Sequence, residues 1–130
     1  MKDLPEIGKE YSWQEILEIA RDHGISYVVE TLENYPPPEK PFKSDGCSGG
    51  CPEEWAGHDI FPLCDKHDMS YWCGLPGDHM ARLTADAELM IDIAETTGDI
   101  SFAVMVFNAV RLGGGEERKK SYSWGFGRIK

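Results

Sequence analysis

Four side chains that could take part in catalysis lie at helical spacing in the segment 61–74. A proline at its second position suits a first helical turn, its last residue is a glycine, and nothing between them breaks a helix. On this predicted helix the four fall at i, i+3, i+4 and i+7 and share one face: Cys64, His67, Asp68 and Tyr71. A core stripe is normally aliphatic, because every buried polar group needs a partner. The stripe therefore indicates a reactive site.

A further carboxylate, Asp86, lies on the next predicted helix, residues 78–97. The pattern there predicts an inner face of Leu83, Asp86, Met90 and Ile93. A carboxylate in an apolar stripe is costly unless it meets a partner, and His67 and Tyr71 are natural partners. The alternative is that Asp86 points into solvent beside Glu88. Because helices joined by a short turn should run antiparallel, we expect His67 and Asp86 to lie within hydrogen-bond reach.

The loop before the central helix contains a second set of polar groups, in the glycine-rich and cysteine-rich stretch 44–51. Glycines free the backbone to turn carbonyl groups inward. Asp45, the carbonyl of Gly46 and Asp68 are hard oxygen ligands of the kind that calcium takes. The sequence therefore predicts a calcium site between this loop and the central helix.

The two sets together predict one reaction. A metal ion beside His67 would polarise a carbonyl group and hold the developing oxyanion, while the neutral imidazole takes a proton from water. Asp86 would fix the orientation and tautomer of that imidazole. The reaction class that fits is ester hydrolysis by activated water.

Length and charge limit the partners. The chain has 130 residues, which predicts one domain, and its net charge of −10 disfavours nucleic acid. The late basic residues, Arg111 among them, are expected to form a solvated run. No apolar run is long enough to span a bilayer, and the N-terminus lacks the pattern of a secretion signal. These features predict a cytoplasmic protein if Met1 is the native start, whereas the four cysteines favour a secreted or periplasmic one.

The remaining elements are also predicted to be helical. A capping box at Ser12 begins a helix that ends at Gly24, and a second short helix follows, although its β-branched residues keep a strand possible. Asp99 can cap a last helix, and the aromatic tail 121–127 is expected to fold back over the bundle. The prediction is an all-α single domain, 1–130. Its parts are N-terminal helices in 12–34, a Pro-rich linker and metal loop in 35–60, two antiparallel central helices in 61–97, and a C-terminal helix and tail in 99–130.

The stretches Asp45-Gly46-Cys47-Ser48 and Cys64-Asp65-Lys66-His67-Asp68-Met69-Ser70-Tyr71 resemble the secreted phospholipase A2 superfamily, in particular its small prokaryotic branch. The resemblance implies calcium-dependent hydrolysis of a phospholipid sn-2 ester, or of another ester-bearing amphiphile, at a membrane or micelle surface. It implies that His67 is the general base, with Asp86 bonded to it and Tyr71 in support. It also implies that Asp45, the Gly46 carbonyl and Asp68 bind calcium.

The resemblance further implies a disulfide between Cys47 and Cys64, which leaves Cys51 and Cys73 as a second pair. Parts of the chain, including Val110-Arg111-Leu112-Gly113-Gly114, are also similar to small bacterial and phage proteins of unassigned function.

Two other interpretations are compatible with the residues. One is a structural zinc site, with Cys73 spare, built from Cys47, Cys51, Cys64 and His67. The other is a phospholipase-like binding module without activity that acts on a protein partner. This second interpretation would be favoured if Asp45 pointed away from Asp68, or if a rim around the cleft formed by Trp55, Phe61 and Trp72 were occluded.

Overall fold

A computed structural model of the chain describes residues 2–44, 52 and 54–128. This part is mostly helical, as predicted, and also contains two small antiparallel sheets. The helices are α1 (Trp13–His23), α2 (Ser26–Asn34), α3 (Phe61–Cys73), α4 (His79–Thr97) and α5 (Ile100–Gly113), followed by a 3-10 turn at Glu116–Arg118. The predicted metal loop with Asp45, Gly46, Cys47 and Cys51 lies outside the described residues.

The helix boundaries follow from local capping chemistry. Ser12 forms the predicted capping box with Glu15 at the start of α1, and Gly24 ends that helix in the left-handed conformation. Asp78 caps α4 by accepting a hydrogen bond from the Ala81 amide, and Asp99 caps α5 in the same way through the Phe102 amide. The prediction of both caps is confirmed.

The two sheets were not predicted, because each strand is only two residues long and carries no alternating pattern. β1 (Glu10–Tyr11) pairs with β2 (Phe42–Lys43) and places the end of the Pro-rich segment beside α1. β3 (Glu54–Trp55) and β4 (His58–Asp59) form a hairpin. Its turn residues, Ala56 and Gly57, both have positive φ, as a type I′ turn requires.

α3 is the central element of the fold, with apolar clusters on both sides. Towards the N-terminal half it packs with α1, α2 and β2, in a cluster that contains Ile16, Val28, Phe42, Met69 and Trp72. The start of α3 packs on α4 and α5, in a cluster that contains Ile60, Leu89, Ile93, Phe102 and Val106. Because both faces are covered, the position of α3 is fixed by packing from two directions.

The predicted inner face of α4 is wrong at one position. Leu83 is 37% exposed, whereas the buried residues of α4 are Ala85, Asp86, Leu89 and Ile93. The helix is rotated relative to the predicted stripe, so that Arg82 turns inward and Leu83 outward. Among the described residues, no helix combines the length and the apolar character that crossing a membrane requires.

The C-terminal tail folds back on the bundle, as predicted, and it caps α3. The amides of Gly125 and Gly127 donate to the carbonyls of Tyr71 and Trp72 at 2.7 and 3.0 Å, and Nε of Arg128 donates to the carbonyl of Cys73 at 3.0 Å. These carbonyls lie in the last turn of α3, where the cap of the helix supplies only the Gly74 amide, which donates to Tyr71 at 3.4 Å. The tail therefore satisfies the end of the helix that carries the candidate site.

Candidate active site

The predicted hydrogen bond between His67 and Asp86 is present. Nε2 of His67 and Oδ1 of Asp86 are 2.7 Å apart, and the Asp86 side chain is fully buried. Tyr71, one turn after His67 on α3, donates from its hydroxyl to the same Oδ1 at 2.6 Å. The rings of His67 and Tyr71 lie 4.3 Å apart. The three side chains that the sequence nominated as catalytic therefore form one connected group.

These contacts also show how α3 and α4 run. His67 contacts Asp86, and four residues later Tyr71 contacts Arg82, four residues earlier on α4, at 3.1 Å. A step forward along one helix is thus a step backward along the other, so the predicted antiparallel arrangement of the two central helices is confirmed. It brings the polar stripe of α3 against the turn of α4 that carries Asp86.

Two arginines complete the group, and sequence reasoning missed both. Nη1 of Arg111 donates to Oδ2 of Asp86 at 2.7 Å. Nε of Arg82 donates to the Tyr71 hydroxyl, and its Nη2 donates to the carbonyls of Val110 and Arg111 at the end of α5. The expectation that Arg111 belongs to a solvated basic run is wrong. The signal that points to it is the buried charge of Asp86, which a neutral imidazole alone cannot compensate.

The ionisation of this group follows from its contacts. Burial by itself would raise the pKa of Asp86, but the hydrogen bonds that it receives from His67, Tyr71 and Arg111 hold that pKa below its usual value. Burial and the negative charge of Asp86 raise the pKa of Tyr71. Asp86 is therefore a carboxylate that only accepts hydrogen bonds, and Tyr71 is a neutral phenol that donates one.

His67 borders a cavity of about 190 Å³ between α3, α4 and the turn that joins α1 to α2. Asp86 and Tyr71 are absent from the cavity wall and lie behind the imidazole. The other lining side chains are mixed in character and include Ile25, Tyr27, Leu63, Lys66, Ser70, Glu88, Leu89 and Asp92. A small molecule in this cavity would meet the imidazole first, with the buried carboxylate out of reach.

The aromatic residues that the sequence placed near a rim lie elsewhere. Trp72 is fully buried in the core, and none of Trp55, Phe61 and Trp72 borders the cavity. Trp55 instead stacks on Phe102 at 4.2 Å, and its indole donates to Asp99. These three residues therefore form no rim around this cavity, and the interpretation as an inactive binding module stays a prediction.

The cysteines divide into two kinds. Cys64 is buried and disulfide-bonded, and its partner lies outside the described residues. Cys73 is a buried free thiol, so the predicted pair of Cys51 with Cys73 is wrong. Cys64 and Cys73 are nine positions apart on α3, which places them on opposite faces of the helix and directs Cys73 into the core. Burial raises the pKa of Cys73 to about 12.

Of the predicted calcium ligands, only Asp68 belongs to the described residues, where it is half-buried and directly follows His67. No cluster of three or more His, Cys, Asp or Glu side chains suited to a metal ion occurs within residues 2–44, 52 and 54–128. One side chain of this region, that of Asp65, is nevertheless suited to binding a cation. Asp65 is fully buried, and neither of its carboxylate oxygens has a hydrogen-bond partner of acceptable geometry.

The surroundings of Asp65 are unusual for a carboxylate. Burial raises its pKa to about 7, and the nearby hydroxyl of Ser44 offsets this only partly. The Ser44 hydroxyl is close enough to lower the pKa of Asp65, but it does not make a hydrogen bond of good geometry to either carboxylate oxygen. We therefore regard Asp65 as a carboxylate whose charge the described residues leave uncompensated.

Comparisons of the chain with protein-family models, curated proteins and solved structures found no match. The interpretation of the site consequently depends on the geometry described above and on the chemistry of its side chains.

Proposed function

We propose that the protein is a calcium-dependent carboxylic ester hydrolase of the phospholipase A2 type. Its substrate would be the sn-2 ester of a phospholipid, or of another ester-bearing amphiphile, at a membrane or micelle surface. The observation that carries the proposal is the pair of His67 and Asp86 at a cavity wall, with the imidazole exposed to the cavity and the carboxylate buried behind it. This is the arrangement that a general base and its orienting group require.

The contacts of His67 select the atom that acts as the base. Because the ionised Asp86 can only accept, Nε2 of His67 carries the proton of their hydrogen bond, and Nδ1 keeps its lone pair. Nδ1 would take a proton from a water molecule as that water attacks the ester carbonyl. The same proton then passes to the alcohol oxygen as its bond to the carbonyl carbon breaks. Asp86 stabilises the imidazolium form between these two steps.

Calcium would be held by Asp68 together with Asp45 and the Gly46 carbonyl. When bound, it supplies positive charge for the ester carbonyl oxygen and for the oxyanion that forms there. The uncompensated carboxylate of Asp65, three residues before Asp68 on the same helix, supports a cation in this region. We also propose that the disulfide of Cys64 is made with Cys47, which would join the metal loop to α3.

The zinc interpretation receives less support from the same residues. Cys64 is disulfide-bonded and cannot act as a thiolate ligand, and Nε2 of His67 is already bonded to Asp86. Two of the four proposed zinc ligands are therefore engaged elsewhere.

The size of the cavity bears on the substrate. Its volume of about 190 Å³ is below the range of roughly 300–1,000 Å³ that is usual for pockets enclosing a whole drug-sized ligand. The cavity would take only a small group beside the imidazole, while the rest of the substrate remains at the surface from which it is presented.

The test is an assay of fatty-acid release from mixed micelles of phosphatidylcholine, with calcium or with a chelator. We expect calcium-dependent release by the wild type and its loss in His67→Gln, which keeps a polar side chain but lacks a basic nitrogen. The matched control is His58→Gln, in the exposed β3–β4 hairpin, which should retain full activity. Release that persists in a folded His67→Gln variant, or no release by the wild type at any calcium concentration, would exclude the proposed mechanism.

A further inference from the structure

Asp65 is a residue of α3 to which the proposed reaction assigns no role. Its side chain has no exposed surface, and both carboxylate oxygens lack a hydrogen-bond partner. The other fully buried carboxylate, Asp86, receives hydrogen bonds from His67, Tyr71 and Arg111. The two groups are equally buried, but only one is compensated.

An uncompensated carboxylate in the interior is costly to the folded state, and an apolar residue at the same place on α3 would avoid this cost. The neighbouring core residues Met69 and Trp72 show that apolar side chains pack well on this part of the helix. The packing of the described residues therefore does not explain an acid at position 65. A positively charged ligand that enters the site would explain it.

The position of Asp65 indicates where such a ligand would bind. Asp65 and Asp68 are three residues apart, so their side chains leave α3 on adjacent parts of one face. Asp65 also lies close to Ser44. The orphaned carboxylate thus lies beside Asp68, the acidic residue of the proposed calcium site that belongs to the described residues.

No lysine or arginine of the described residues pairs with Asp65. Lys43, on the neighbouring strand β2, is exposed. The positive charge of Lys66 instead favours ionisation of Asp92 on α4, and both residues border the cavity. The salt bridges of the described residues do not include Asp65. A hard divalent cation with a preference for carboxylate oxygen is the ligand whose chemistry fits.

We propose that Asp65 belongs to the calcium site and binds the ion together with Asp68, an inference that rests on the proposed function. Calcium affinity rises with the number of charged ligands, so the Asp65 carboxylate makes the site stronger than it would be with Asp68 but without Asp65. Calcium would also compensate the buried charge, which couples ion binding to the stability of α3.

The experiment measures calcium binding by isothermal titration calorimetry and melting temperature with and without calcium, for four proteins. These are the wild type, Asp65→Asn, Asp68→Asn and the control Glu95→Gln, which removes an exposed charge from α4. We expect Asp65→Asn to melt at a higher temperature than the wild type in chelator, because a buried charge is removed. Its calcium Kd should be weaker by roughly tenfold or more, with a smaller calcium-dependent rise in melting temperature.

The outcomes separate the two proposals. If Asp68→Asn loses calcium binding while Asp65→Asn keeps a Kd within about twofold of the wild type, the role of Asp65 is wrong and the proposed function stands. If the wild type binds no calcium, the metal assignment of the proposed function fails and takes this inference with it. Should Asp65→Asn not fold, Asp65→Leu places an apolar side chain in the same buried position, and the same two readouts decide.

Discussion

Arg111, at the end of α5, donates from Nη1 to Oδ2 of Asp86 at 2.7 Å, opposite the oxygen that His67 and Tyr71 share. The carboxylate at the centre of the site is therefore held from α3 on one side and from α5 on the other. Three helices that are separate in sequence meet at this one side chain.

Replacing Arg111 should destabilise the protein through Asp86. The variant Arg111→Met keeps much of the side chain's length but leaves Oδ2 of a fully buried carboxylate without its closest donor. We expect a loss of about 2–3 kcal/mol in the free energy of unfolding at pH 7, measured with urea. Arg118→Gln, on the exposed 3-10 turn, is the control and should change little. Equal stability of Arg111→Met and the wild type would contradict the structural role of this ion pair.

The ion pair between Arg111 and Asp86 also predicts how the stability of the protein depends on pH. Burial opposes ionisation of Asp86, but its hydrogen bonds prevail and lower its pKa in the folded state below the usual 3.8. A lowered folded pKa gives stability that is complete above the unfolded value and is lost as the pH falls through the folded value. We expect the stability difference between the wild type and Arg111→Met to be constant from pH 7 to about 5 and to shrink below pH 3.8. Urea denaturation at stepped pH measures it, and a difference that grows in acid would contradict the assignment.

Tyr71→Phe tests the support that the phenol gives to the dyad. The variant removes the 2.6 Å hydrogen bond to Asp86 but leaves the bond between His67 and Asp86 in place. On the proposed mechanism we expect kcat for ester hydrolysis to fall by about tenfold, less than in His67→Gln, because the base remains and only its orientation is weakened. Circular dichroism shows whether the fold is kept. An activity of Tyr71→Phe as low as that of His67→Gln would give the phenol a larger role than orientation.

The thiol of Cys73 should be unreactive in the folded protein. It is fully buried, and burial raises its pKa to about 12, so almost no thiolate forms at pH 8. We expect Cys73→Ala and the wild type to react identically with Ellman's reagent when folded. In guanidinium chloride the wild type should release one equivalent more than Cys73→Ala. An identical count in denaturant would mean that Cys73 is oxidised after all.

Gly74 and Gly113 form a matched pair for testing the packing of the tail. A Cβ atom at Gly74 would overlap the indole ring of Trp124, which is buried and held by a hydrogen bond to the Leu75 carbonyl. Because the ring has no room to move, we expect Gly74→Ala to cost about 1–3 kcal/mol. Gly113 lies in open space at the end of α5, so Gly113→Ala should be neutral or slightly stabilising. Thermal denaturation of both variants decides, and equal melting temperatures would contradict the packing at Gly74.

The features that the sequence predicted correctly depend on interactions between residues close in the chain. Ser12, Asp78 and Asp99 each cap a helix through an amide three residues away, so their side chains are informative without knowledge of the fold. The contact between His67 and Asp86 was also predictable, because one short turn joins their helices and leaves few ways to pair them.

The features that it missed depend on contacts between residues that are distant in the sequence. Arg111 follows a run of core residues at the end of α5, and its chemistry looks like that of the solvated basic residues after it. Only the packing of α5 on α4 brings its guanidinium to Asp86. Leu83 and Arg82 show the same limit, since a small rotation of α4 exchanged the apolar and the charged residue. No pattern of neighbouring residues shows that a carboxylate on another helix needs a positively charged partner.

The cap that the tail places on α3 has a consequence for biosynthesis. Residues 125–128, which satisfy the carbonyls of Tyr71, Trp72 and Cys73, are translated about fifty residues after them. At a synthesis rate of roughly 5–20 residues per second, several seconds pass between the synthesis of the end of α3 and the synthesis of the residues that cap it. During that interval Tyr71 lacks its neighbour Trp124, and Asp86 lacks its partner Arg111 until residue 111 has been made. The helix that carries His67 is therefore among the earlier parts of the protein to be made, but it reaches its final structure only when the tail has left the ribosome.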